Sequence, residues 1–144
     1  PVTSPETLLA QAQQVIRGAD SVLLVMGTSA AVSECLDEIE GALERGVDVY
    51  VLTDLPMPFS GGTLVTGNIA TGDAAILEIG ADDRAALSSV VVGSTVQGVF
   101  AEDHAFANHL FTGLLNRMAV AMIRKTMDED GSKKQIRSVL DSVP

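Results

Sequence analysis

One segment constrains the fold more than any other. Residues 36–54, "LDEIEGALERGVDVYVLTD", read as an amphipathic helix that stops at Arg45-Gly46 and runs directly into a strand. A glycine just past the last periodic position is a left-handed helix terminator. Upstream, "SVLLVMG" (21–27) is a continuous apolar run bounded by Asp20 and Gly27, as expected of a strand buried on both faces. Strand, helix and strand within about thirty residues form a βαβ unit, so the two strands should lie parallel with a right-handed crossover. The pattern predicts strands at 21–27 and 48–53 with one helix over 30–45. Its apolar stripe is Val32, Cys35, Leu36, Ile39 and Leu43, which places Leu36 in the core.

Other elements follow from local signals. Ser4-Pro5-Glu6 combines a hydroxyl cap, a first-turn proline and an acid near the positive end of the helix dipole. Leu8, Leu9, Ala12, Val15 and Ile16 then recur at helical spacing up to Gly18. "LPMPFSGG" (55–62) is a loop by its two prolines and two glycines. Strand-like pieces follow near 63–68, 74–80, 85–92 and 96–102, with Ala81-Asp82-Asp83-Arg84 as a hairpin turn. A long helix begins at Asp103. Its apolar residues run nearly all the way round, which predicts burial on more than one side. The stripe Phe106, Leu110, Leu114 and Met118 is expected on the domain's own sheet, and Phe111, Leu115 and Met122 against a second chain. Residues 131–144 read as a polar tail with one helical turn around 136–140. The fold class is therefore α/β: a small mixed sheet with an N-terminal βαβ unit and a long C-terminal helix, spanning residues 1–130.

Composition narrows the function classes. Nineteen acids stand against nine Lys and Arg, giving a net charge of −10, which disfavours a phosphate-binding surface on this segment. Only three residues are lysine, a balance expected of a salt-loving source. The one cysteine, Cys35, excludes an internal disulfide and a cysteine-based zinc cluster. No apolar run is long enough to span a membrane, and no basic-then-apolar leader is visible; a cytoplasmic location is expected. The start at Pro1 predicts that a segment precedes it.

Catalytic signatures are missing. The sequence contains no G-x-x-x-x-G-K-[ST], no G-x-G-x-x-G after the first strand and no G-x-S-x-G. His104 and His109 lie five apart on one helix, a spacing that does not share a face, so neither a metal nor a cofactor is expected. What remains is geometry. Open α/β sheets bind ligands along the carboxyl ends of their strands. Gly27, Thr28 and Ser29 follow the first strand, Asp54 ends the second and Asn68 ends the next, with loop 55–62 expected above them. A small polar or anionic ligand is the expected occupant, with Thr28 or Ser29 capping the helix.

"ADSVLLVMG" followed by "ALERGVDVYVLTD", and later "GADDRAALSSVVVGSTVQGVFAEDHAFANHLFTGLL", resembles the effector-sensing domain of the TrmB family of archaeal transcriptional regulators. The resemblance implies a phospholipase-D-like fold, a regulatory role, a homodimer and DNA contact only through a separate N-terminal domain. Phospholipase D enzymes carry H-x-K-x-x-x-x-D, and here neither histidine has a lysine two residues on, which speaks against hydrolysis. A stand-alone dimerising module without a ligand and a degenerate hydrolase are the competing readings.

Overall fold

The computed structural model describes residues 2–69, 72–130 and 141–142. Six strands form a single sheet in the order β3-β2-β1-β4-β5-β6. They are β1 (Val22–Gly27), β2 (Asp48–Thr53), β3 (Thr63–Thr66), β4 (Ala75–Ala81), β5 (Ala85–Val92) and β6 (Thr95–Ala101). β1 pairs parallel with β2 in the register Leu24↔Tyr50, and β2 pairs parallel with β3. On its other side β1 pairs antiparallel with β4, and β5 and β6 continue antiparallel. The sheet is thus mixed, with its change of direction between β1 and β4.

Two layers cover the sheet unequally. Helices α1 (Pro5–Arg17), α2 (Ser29–Ser33) and α3 (Leu36–Glu44) lie on one face, where Leu8, Val15, Ile16, Val32 and Ile39 meet Leu23, Val25, Val51, Ile79 and Leu87. Helix α4 (His104–Asp130) crosses the other face alone among the described elements, with Leu114 and Met118 on Leu24, Met26, Leu52 and Val65.

The helix ends obey their signals. Ser4 Oγ accepts from the Thr7 amide at 3.1 Å to open α1. Gly46 adopts φ +87°. Its amide donates to the Leu43 carbonyl, and the Val47 amide to that of Ala42, at 3.0 and 3.1 Å. This pair of bonds is a Schellman termination, and it aims the chain from α3 into β2.

The segment predicted as one helix over 30–45 is two. Ser33 Oγ donates to the Ser29 carbonyl at 2.7 Å. A hydroxyl competing for its own helix's acceptor favours a bend, and the chain turns at Glu34–Cys35. The turn shifts the buried stripe to Val32, Cys35, Ile39 and Ala42, all at most 1% exposed, and leaves Leu36 only partly covered. Loop 55–62 also departs from expectation. Met57 and Phe59 pack into the α1–α3 side of the core, and Gly62 lies against the Val49 carbonyl and the Phe59 ring. The loop is the crossover from β2 back to the start of β3, and it leaves the end of β2 with the Thr53 hydroxyl donating to the Leu55 carbonyl at 2.7 Å. On α4, Phe106 is exposed where burial was expected. The tail reading for 131–144, including its turn at 136–140, lies outside the described residues apart from 141–142.

The turn Ala81–Arg84 fastens the other end of β1. Asp82 and Asp83 both take φ +55°, the left-handed pair of a tight hairpin. The Asp82 carboxylate accepts from the amides of Asp20, Ser21 and Val22 at 2.6 to 2.8 Å, and Arg84 bridges Asp82 and Asp20. Burial alone would raise the Asp82 carboxyl; the three amides and Arg84 outweigh it and hold it below its ordinary 3.8.

Two tests follow from these contacts. Ile39→Ala is expected to lose about 2–5 kcal/mol in chemical denaturation, and Leu36→Ala clearly less, because Leu36 is only partly buried. A depressed carboxyl stabilises fully above its unfolded value and loses that stabilisation as pH falls through its folded one. Asp82→Asn should therefore be less stable at neutral pH than the parent. Its unfolding free energy should also fall less between about pH 5 and pH 2.

Candidate functional site

The sheet's two longest parallel neighbours deliver their carboxyl ends side by side. Gly27 is opposite Thr53 in the β1–β2 register, so Thr28 and Asp54 leave the sheet together. The Asp54 carboxylate accepts from the Ser29 amide at 2.8 Å. Asp54, and neither hydroxyl, thus satisfies an open amide at the start of α2. Thr28 occupies the cap position, yet its side chain makes no capping bond. Among the described residues its Oγ1 is buried and has no hydrogen-bond partner. A buried hydroxyl without a partner is uncommon enough to mark a position for attention.

Gly27 serves the sheet. A Cβ there would strike the Ile76 carbonyl oxygen, and the adjoining Thr28 amide donates to that same oxygen at 3.0 Å. Only a glycine lets β1 and β4 approach so closely at the point where the chain leaves for α2. On the far side of β2, the Gly67 amide donates to the Thr53 carbonyl at 2.9 Å, which sets the exposed Asn68 just past the end of that strand. The five residues picked from the sequence therefore share one sheet edge, and a direct hydrogen bond joins Ser29 to Asp54. Ala121 of α4, not the proline-rich loop, stands beside Gly67.

The chain's other reactive groups offer less. Cys35 is fully buried, and burial, with Glu38 and Glu34 adding, pushes its thiol up to about 11, so it stays protonated and inert. His104 and His109 are exposed on α4, whose start is capped by Asp103 Oδ1 accepting from the Ala105 amide. Among the described residues no three of His, Cys, Asp and Glu converge as metal ligands would.

Sequence reasoning missed a polar group on the α4 face. Glu78 on β4 lies 3.8 Å from Arg117 and bonds to Ser88 on β5. Burial raises its carboxyl, opposed by Arg117 and by the Ser88 bond. The signal was available: a single charge inside "AAILEIG".

Residues 2–60 match the family model described as "Transcriptional regulator TrmB, EBD N-terminal subdomain". The match runs from Val2, which forms an isolated antiparallel bridge with Gly98 of β6, through the βαβ unit and into the crossover loop. Over this segment the chain is similar to the TrmB family. No curated protein sequence matches it. Among solved structures it resembles TrmBL2, an archaeal chromatin protein described with a novel mode of DNA binding, at 11% identity and TM-score 0.64. The likeness covers 81% of this chain and 50% of that one, so the chain spans half the length of TrmBL2. It also resembles Nuc, a phospholipase D family member from Salmonella typhimurium, at 17% identity and TM-score 0.59, over 80% of this chain and 90% of that one. At these identities the likeness establishes the fold, which is phospholipase-D-like.

On Phe111, Leu115 and Met122 the structure divides. Phe111 is half-buried against Gly80 of the chain's own sheet, whereas Leu115 is 48% and Met122 38% exposed. Among the described residues no helix is long and apolar enough to cross a membrane.

Removing the Asp54 carboxylate leaves the Ser29 amide unsatisfied. Asp54→Ala is expected to lower stability by about 1 kcal/mol, the usual value of a helix cap, with Asp54→Asn retaining most of it. Urea titrations of the two variants beside the parent would measure this.

Proposed function

We propose that this chain is the non-catalytic effector-sensing and dimerisation domain of a TrmB-like transcriptional regulator. It binds a small polar or anionic effector at the strand edge formed by Gly27, Thr28, Ser29, Asp54 and Asn68. It pairs with a second copy through α4, and DNA is contacted by a separate domain of the regulator in the cytoplasm. The observation that carries the reading is the Asp54–Ser29 hydrogen bond across the carboxyl ends of β1 and β2, beside a Thr28 hydroxyl that is buried and, among the described residues, without a partner. The site brings donors and a carboxylate together at the edge where open α/β sheets take ligands.

The regulatory assignment follows the family of residues 2–60 and the missing H-x-K pattern. A hydrolase of the phospholipase D type would need a histidine poised for nucleophilic attack. Both histidines here lie on the exposed surface of α4 without such a setting.

The dimer rests on α4, where Leu115, Val120, Met122 and Ile123 remain 38–48% exposed in a chain whose net charge is −10. Closed two-fold pairs are the commonest soluble oligomers, and a regulator reading a two-fold operator requires one.

A binder raises the melting temperature by mass action on the folded state. Sugars, sugar phosphates and nucleotides, screened at high salt, are expected to include at least one that shifts it, with the shift lost in Asp54→Ala. A full screen with no shift would leave the domain as a dimerising module only. Turnover of a generic phosphodiester that disappears in His104→Ala or His109→Ala would overturn the non-catalytic assignment.

A further inference from the structure

A single acid stands in an otherwise uncharged row across the sheet. From β3 to β6 the registers align Val65, Leu52, Met26, Glu78, Ser88 and Val99. Residues directly opposite one another share a face, and Met26, Leu52 and Val65 pack with Leu114 and Met118 of α4. Glu78 therefore lies in the middle of the sheet on the side that α4 covers. Its side chain is 23% exposed.

Few polar groups face it. Arg117 of α4 lies 3.8 Å away, and Ser88 of β5 shares a hydrogen bond with it. On this face β1, β3 and β6 carry no titratable side chain, and β2 carries Tyr50 and, at its exposed start, Asp48. Of the other described side chains on α4, His104, His109, Arg124, Lys125 and Asp128 lie about two turns or further from Arg117.

Two effects oppose each other at the carboxylate. A 3.8 Å contact with a guanidinium that is 51% exposed is long and screened by water, and such pairs contribute little. Covering a carboxylate strips its hydration, and for a poorly paired charge that cost is the larger of the two. The titration agrees in direction: burial raises the Glu78 carboxyl above its ordinary 4.5, and Arg117 and Ser88 only partly offset this. An acid raised on folding stabilises the covered state fully below its unfolded value and loses that contribution as pH rises through its folded one. Among the described elements α4 alone covers this face, so lifting it returns Glu78 to water.

We propose that Glu78 is a proton-worked release for helix α4. Protonated, it lets the helix seat on the sheet; ionised, it favours a state in which α4 has lifted and the carboxylate is hydrated. The same helix places Ala121 beside Gly67, so the lifted state uncovers one flank of the candidate ligand edge. Neither an effector nor a second copy is needed for the motion.

Amide exchange of the 144-residue chain, followed from about pH 4 to pH 8 and corrected for intrinsic rates, tests this. Amides from Leu114 to Ala121 are expected to exchange faster than those of β1, through a smaller opening, and to lose protection as pH rises above 4.5. Glu78→Gln removes the charge and keeps the shape. It is expected to slow α4 exchange at neutral pH by about threefold or more and to flatten its pH dependence. His104 and His109 are common to both chains, so the comparison isolates Glu78. Arg117→Gln leaves the carboxylate without its cation and is expected to speed α4 exchange at neutral pH. In an ordinary salt bridge both substitutions would loosen the helix alike, and that result would overturn the release. So would a pH dependence unchanged in Glu78→Gln, a Glu78→Gln chain that circular dichroism shows unfolded, or α4 amides that exchange together with those of β1 at every pH.

Discussion

Strand β1 is the constraint on which the rest depends. Leu23, Leu24, Val25 and Met26 are all 0% exposed, so consecutive side chains are buried on opposite faces. A strand of this kind needs hydrogen-bonding neighbours on both edges and a layer over both faces. β2 and β4 supply the edges, in opposite directions. The α1–α3 layer and α4 supply the cover. Its two ends are fixed by carboxylates from elsewhere in the chain: Asp82 holds the three amides that lead in, and Asp54 holds the Ser29 amide just beyond its exit. The candidate ligand edge is the exit end of this one strand.

What the sequence disclosed was whatever local chemistry decides. The continuous apolar run of β1, the Gly46 stop and the Ser4-Pro5-Glu6 start each act within a few residues, and each corresponds to an observed element. What it hid was decided by partners distant in sequence. The bend at Glu34–Cys35 follows a turn in which the Ser33 hydroxyl donates to the Ser29 carbonyl. It rotates the helix face enough to exchange Leu36 for Ala42 in the core. Loop 55–62 has the composition of a lid, yet Met57 and Phe59 are drawn into the core because the chain must return to start a parallel strand. Helix α4 looked apolar all round, and so the choice between Phe106 and Phe111 for the sheet was not legible. Gly80, by leaving room for the Phe111 ring, makes it. The site residues were legible as positions at strand ends. That Asp54 would be the cap and Thr28 the unpartnered hydroxyl was not, because both outcomes fit the same sequence.

The two faces have different consequences for function. The α1–α3 face is closed, its outer surface acidic, and the family match of residues 2–60 lies within the elements that build it together with β1 and β2. The α4 face is covered, among the described residues, by that single helix, and it carries the Glu78–Arg117 pair. In the proposed regulator one strand edge receives the effector and α4 bears the contact with a second copy. Ala121 of α4 touches the segment that carries Asn68 through Gly67, so the helix that bears the proposed interface also borders the proposed ligand edge.

The claim that β1 organises the fold is open to direct measurement by native-state hydrogen exchange followed residue by residue. The amides of Leu24 to Met26 are expected to exchange only through global unfolding, as the slowest set in the chain, with the outer amides of β3 and β6 released by smaller openings. Amides of β1 that exchange through a local opening, while β5 and β6 remain protected, would contradict it.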